Sequence, residues 1–95
     1  MIAEFSIFPI GRGESLSASV AEAYKIIDAS GVTCEHHAMG TNLEGDWDDV
    51  MGAIKACRDR LLESSNRVSI SIKIDDRKGP HDRLSRKVAS ARSKI

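Results

Sequence analysis

A short segment, residues 39–45, carries the side chains best suited to holding a small molecule. It reads Met-Gly-Thr-Asn-Leu-Glu-Gly, and its two glycines stand where the backbone must turn or where another group comes close. Between them lie the hydroxyl of Thr41, the amide of Asn42 and the carboxylate of Glu44. These groups could hold a small polar organic molecule. The plainer interpretation, which composition alone favours, is a β-hairpin whose polar residues face water.

Three further residues are candidate ligand contacts near this segment. Ser17, like Ser15, stands at the predicted start of a helix, where a hydroxyl and free backbone N–H groups could hold a polar ligand. Helix capping alone explains either serine equally well. Met39 and Trp47 could form apolar walls against a flat ring, although Trp47 is more simply interpreted as a core residue.

Catalysis and metal binding find little support in the spacing of the reactive residues. The spacing of the residues does not indicate a Ser-His-Asp, Cys-His or paired-carboxylate arrangement. His81 follows a Gly-Pro turn, and the simplest interpretation is that its side chain is exposed. His36 and His37 point to opposite faces of a strand, and neither has a cysteine or aspartate partner at ligand spacing. The glycine-rich residues 11–14 lack a phosphate-loop pattern. We therefore expect no catalytic activity, no metal and no cofactor.

Length and charge place further limits on function. The chain has 95 residues, is 41% hydrophobic and 29% charged, and is expected to form one domain over residues 1–95. Its zero net charge hides an acidic body of −5 over residues 1–72 and a basic tail of +5 over residues 73–95. No aromatic residue interleaves the basic side chains for stacking on bases, so nucleic-acid binding is not expected.

The two cysteines and the absence of a long apolar run indicate where the protein works. Cys34 and Cys57 lie far apart without CxxC spacing, and their apolar neighbours indicate buried free thiols. Free thiols suit a reducing cytoplasm. No apolar run approaches the length of about 20 residues that a membrane-spanning helix needs. We expect a cytoplasmic protein without membrane contact.

The elements that must position the candidate residues follow from hydrophobic periodicity. Alternation predicts strands at 2–9, 32–39, around 41–43 and 67–76, and spacings of three and four predict three helices between and after them. The order βαββαβ with a C-terminal helix predicts an α+β, ferredoxin-like sandwich in which two helices cover one face of a four-stranded antiparallel sheet. The other face is left open, so we expect a homo-oligomer built by sheet-to-sheet packing.

Several short segments of the sequence, taken together, resemble the small thiamine-binding protein family, which is related to YkoF. They are Phe-Ser-Ile-Phe-Pro-Ile-Gly at 5–11, Ser-Leu-Ser at 15–17, the segment at 39–45, Arg-Val at 67–68 and Lys-Ile-Asp-Asp-Arg at 73–77. The resemblance implies a ferredoxin-like subunit, a homotetramer that is a dimer of dimers, and non-catalytic binding of thiamine (vitamin B1) or its hydroxymethylpyrimidine precursor.

The candidate residues are chemically compatible with that ligand. Glu44 suits the aminopyrimidine or the positive thiazolium ring, Thr41 and Ser17 offer hydroxyls, and Asn42 offers an amide. Met39 or Trp47 would supply an apolar wall. The alternative function is an oligomeric interaction or regulatory module without a small-molecule ligand, in which the open sheet serves assembly alone.

Overall fold

The computed structural model describes residues 1–11, 16–79 and 83–95. In chain order they form β1 (Ile2–Pro9), α1 (Ser17–Ser30), β2 (Thr33–His37), β3 (Gly40–Glu44), α2 (Trp47–Leu62), β4 (Val68–Asp75) and α3 (Arg83–Arg92). The four strands form one antiparallel sheet in the order β2-β3-β1-β4. This is the predicted ferredoxin-like arrangement with an added C-terminal helix, so the predicted fold is confirmed. Ser15, His81 and most of the loop at 11–14 lie outside the described residues.

One face of the sheet, the helix face, carries the core. Along β1 the alternation places Ala3, Phe5 and Ile7 under the helices, and the register sets Ala3 opposite Leu43 and Phe5 opposite Thr41. From the helices, Ile27, Val50 and Cys57 are fully enclosed. Residues 42 and 44 alternate with 41 and 43 along β3, so their side chains belong to the opposite, open face.

Two local predictions about the helix ends had different outcomes. Gly31 ends α1 with φ of 77°, the left-handed conformation expected of a glycine after a helix. Ser17 was a candidate N-cap, but it is the first residue inside α1, and Leu16 occupies the cap position without a side-chain hydrogen bond. The capping role predicted for Ser17 is therefore wrong.

The edge strand β4 is less buried than its alternating pattern indicates. Val68 and Ile70 pack against the core, but Ile72 and Ile74 on the same face are 39% and 37% exposed. Within the described part of the chain, β4 pairs only with β1, at the end of the strand order, so the two helices cover the central strands before they reach it. The alternating apolar face of β4 therefore belongs to the core only in its first half.

The two thiols differ in burial, and we expect them to differ in reactivity. Cys57 is fully buried, and burial raises the pKa of its thiol to about 11. Cys34 is only partly buried, so the prediction of a buried thiol is wrong for this residue. Because the thiolate is the reactive form, a disulfide reagent at neutral pH should modify Cys34 first and Cys57 only on unfolding. Peptide mapping by mass spectrometry after timed labelling tests this, and equal labelling rates would contradict the burial of Cys57.

Candidate functional site

A partly open cavity lies between α1, the end of β1 and the turn that joins β2 to β3. Its volume is about 230 Å³. The walls are mainly apolar, and Tyr24 and Thr41 supply polar side chains. Ser6 and His37 also border the cavity, but the His37 ring contacts Asn42 and Glu4 on the open face. The apolar lining consists of Phe5, Ile7, Phe8, Leu16, Val20, Ala23, Ile27, Ala38 and Met39. An apolar cavity with a few polar groups is the usual form of a small-molecule site.

Gly40 shapes the turn beside this cavity. A methyl group at this position would lie 2.7 Å from the carbonyl oxygen of Phe5, and the residue has φ of 156°. Only glycine allows the turn to approach β1 this closely. The close backbone approach predicted for the first glycine of the 39–45 segment is therefore confirmed.

A chain of hydrogen bonds fixes Thr41 on the cavity wall. The Oγ1 atom of Thr41 lies 3.0 Å from Nδ1 of His36, and Nε2 of the same ring lies 3.0 Å from Oδ1 of Asp28. Tyr24 stacks on the imidazole with ring centroids 3.8 Å apart. Contacts at both ring nitrogens and on one face therefore hold the His36 ring in position.

The chain of hydrogen bonds also determines which way the Thr41 hydroxyl can act. A carboxylate only accepts hydrogen bonds, so a neutral His36 carries its proton on Nε2 and donates it to Asp28. Its Nδ1 then accepts the Thr41 hydroxyl proton. The remaining lone pairs of the Thr41 oxygen can accept a hydrogen bond from an N–H group. The hydrogen bond that His36 donates to Asp28 lowers the pKa of the Asp28 carboxyl group below its usual range.

The predicted site residues divide between different parts of the molecule. Thr41 and Met39 line the cavity, with Thr41 4% and Met39 83% exposed. Asn42 and Glu44 belong to the open face of the sheet, so within one chain they cannot share a ligand with Thr41. Ser17 is exposed at the start of α1 and does not line the cavity. The residues that the structure brings together are therefore Thr41 and Met39.

Trp47 lies outside the core and away from the cavity. It is the first residue of α2, is 53% exposed and is not among the residues lining the cavity. The interpretation of Trp47 as a core residue is therefore wrong. The helix begins directly after the Gly45–Asp46 turn, which places its first side chain at the periphery of the core.

Glu44 has a structural partner that the sequence did not reveal. Its side chain is buried, and its Oε2 atom accepts a hydrogen bond of 3.1 Å from the backbone N–H of Leu84 in the first turn of α3. Lys87 of the same helix pairs with Asp75 of β4. These contacts anchor the start of α3 to the open face, where a negative charge also favours the helix N-terminus.

Replacing Glu44 should therefore loosen α3. Glu44→Gln keeps the shape but removes the charge, which weakens the bond to Leu84 by roughly 1 kcal/mol. Hydrogen exchange should show several-fold faster exchange of the α3 amides. Glu35→Gln, an exposed carboxylate on the adjacent strand, is the control and should leave α3 unchanged. Unchanged α3 protection in Glu44→Gln would contradict the anchoring role.

A larger, shallower groove lies between the C-terminal half of α1 and α2. Its volume is about 690 Å³, and Glu44, Asp48 and Asp49 are among its lining residues. Because small-molecule sites enclose most of the ligand, the smaller and more enclosed cavity is the better candidate.

Among the described residues, no helix is both long enough and apolar enough to cross a membrane.

The comparison with known proteins identifies the family. The family model described as thiamine-binding protein matches residues 3–92. The chain belongs to the thiamine-binding protein family. The resemblance read from its sequence is thereby confirmed, and the family is named for binding rather than for catalysis.

Individual relatives agree with this assignment. The UPF0045 protein MJ1052 of Methanocaldococcus jannaschii is 39% identical over 88 residues, which are 93% of this chain and 88% of that protein. A UPF0045 protein of Methanothermobacter thermautotrophicus is 40% identical over 96 residues, covering 98% of this chain and 97% of the relative.

Solved structures of similar proteins confirm the fold of this chain. The crystal structure of MJ1052 superposes with a TM-score of 0.86 at 38% identity, covering 95% of this chain and 93% of the other. A Thermotoga maritima protein described as a candidate thiamine biosynthesis/salvage protein superposes with a TM-score of 0.82 at 20% identity, covering 95% and 96%. The second likeness shows the fold alone.

Proposed function

We propose that the protein is a non-catalytic binder of the aminopyrimidine half of thiamine, and that it binds hydroxymethylpyrimidine in the cavity at Thr41. Family membership supports a thiamine-related ligand. The observation that carries the proposal is the oriented Thr41 hydroxyl on the wall of an apolar cavity of about 230 Å³. Its oxygen would accept a hydrogen bond from the exocyclic amino group of the pyrimidine, and Met39 is among the residues that line the cavity.

The lining of the cavity favours the pyrimidine over the thiazolium ring. None of its described lining residues is acidic, so the positive thiazolium would find no carboxylate there. The volume is also below the roughly 300 Å³ at which sites for drug-sized ligands begin. A neutral, flat pyrimidine fits both limits. We therefore expect hydroxymethylpyrimidine to bind more tightly than thiamine.

The proposed assembly is a homotetramer that is a dimer of dimers. Ile72 and Ile74 of β4 and Val88 of α3 are apolar and 37–54% exposed, which is surface that a second copy could cover. Ile72 and Ile74 lie on the helix face at the edge of the sheet, and the open face on the other side is the proposed packing surface. Asn42 and Glu44 would reach a ligand only as contacts made to another copy. Two free cysteines accord with a cytoplasmic protein.

Calorimetric titration tests the proposed function. Hydroxymethylpyrimidine and thiamine are added separately at fixed salt, with the mass of the oligomer measured by light scattering in the same buffer. Saturable heat with the pyrimidine, and weaker or no heat with thiamine, is the expected result. A tetramer that gives no heat with either compound would overturn the binding function in favour of an assembly module.

A further inference from the structure

Three potential metal ligands converge beside the cavity, on the side of His36 that faces away from Thr41. The ligands are Asp28 from α1 and Cys34 and His36 from β2. Cys34 Sγ lies 3.6 Å from Asp28 Oδ1 and 4.0 Å from His36 Nε2, and the latter two atoms are 3.0 Å apart. The sequence-based expectation that His36 has no cysteine or aspartate partner at ligand spacing is therefore wrong.

The triangle formed by these atoms fits a tetrahedral metal ion. Bond lengths of about 2.0–2.3 Å from Zn²⁺ to nitrogen, oxygen and sulfur place neighbouring ligand atoms about 3.4–3.6 Å apart. The three observed separations lie within about half an ångström of that range. Rotation of the Asp28 side chain, which is 63% exposed, is enough to adjust the shortest of them.

The surroundings of the triangle also suit a metal. Thr41 holds the far nitrogen of His36 and Tyr24 holds the face of its ring, so the imidazole is already oriented. With a metal on Nε2, the imidazole proton would sit on Nδ1, where the Thr41 oxygen accepts it. A thiolate and a carboxylate would together neutralise the charge of a divalent ion.

The geometry points to a binding site for one divalent transition-metal ion of the zinc class, held by Asp28, Cys34 and His36. A thiolate, an imidazole and a carboxylate are the mixed donors that Zn²⁺ and Co²⁺ accept, whereas Mg²⁺ and Ca²⁺ prefer oxygen ligands alone. With three protein ligands and partial exposure of Asp28 and His36, the fourth position of a tetrahedral ion is left to water. Metal binding would reverse the direction of the hydrogen bond between Thr41 and Nδ1 of His36, so it would act on the same hydroxyl that carries the proposed pyrimidine binding.

Cobalt titration of the untagged 95-residue chain tests the site. Co²⁺ takes the same ligands as Zn²⁺, and a thiolate bound to it gives a charge-transfer absorption band in the near ultraviolet. We expect one Co²⁺ per chain with that band, displaced by Zn²⁺. Cys34→Ser should abolish the band, and His36→Asn should lower the affinity at least about tenfold.

Two matched variants serve as controls. Cys57→Ala removes the buried thiol, and His37→Asn removes the histidine on the opposite face of the same strand, so both should bind Co²⁺ as the unaltered protein does. Circular dichroism confirms that each variant is folded. The absence of saturable Co²⁺ binding, or a charge-transfer band that persists in Cys34→Ser, would overturn the proposed site. The titration needs no pyrimidine, so its failure is separate from failure of the calorimetric test.

Discussion

Gly40→Ala should destabilise the fold by about 2–4 kcal/mol, which combines the strain of a positive φ with steric overlap against backbone. The added methyl group would meet the carbonyl oxygen of Phe5 at 2.7 Å, and a backbone atom cannot swing aside as a side chain can. Because the turn at Gly40 also borders the cavity, the same change should weaken hydroxymethylpyrimidine binding. Urea denaturation of the unaltered and variant proteins measures the stability effect.

Gly52→Ala is the matched control for this substitution. Gly52 lies within α2, and an added methyl group there would have nothing within 4 Å. Alanine in an exposed helical position should stabilise the protein by about 0.5–1 kcal/mol. A Gly40→Ala variant that is as stable as the unaltered protein would show that the turn does not approach β1 as described.

Thr41→Val should lower the affinity for hydroxymethylpyrimidine about tenfold, the effect of losing one neutral hydrogen bond. Valine has nearly the same shape as threonine, so the cavity keeps its volume while the acceptor for the amino group is lost. His36 Nδ1 would also lose its partner, which should cost roughly 1 kcal/mol of stability. Calorimetric titration at a temperature where the variant is fully folded measures the affinity.

The other end of the same hairpin provides the control for Thr41. Thr33→Val makes the identical change at an exposed position of β2, paired with Glu44 and outside the residues that line the cavity. Its affinity for the pyrimidine should equal that of the unaltered protein. Equal affinities in Thr41→Val and Thr33→Val would remove Thr41 from the proposed site.

The fold was predictable because local periodicity and chain order agree. The alternation of Ala3, Phe5 and Ile7 identified the buried face of β1, and Gly31 marked the end of α1. The edge position of β4 could not be read from its pattern, since Ile72 and Ile74 alternate as perfectly as buried residues do. Their exposure depends on how far the two helices extend across the sheet, which is a tertiary property.

The candidate site was only partly predictable. The two-residue period of a strand already places Thr41 and Glu44 on opposite faces, but the segment was interpreted as a turn with a short strand, which hid that signal. Cys34 and His36 lie two residues apart in β2, and the two-residue period of a strand puts them on one face. Asp28 joins them because the turn at Gly31 folds β2 back beside α1, and no sequence spacing shows that contact.

Mapping of backbone amide shifts by NMR, with hydroxymethylpyrimidine as the added compound, tests the central claim most directly because it locates the ligand as well as detecting it. We expect saturable shifts at Tyr24, Gly40 and Thr41, with little change at Asp48 and Gly52 in the larger groove. Shifts concentrated in that groove or on the open sheet face would contradict the proposed cavity. No shifts at saturating ligand would contradict pyrimidine binding itself.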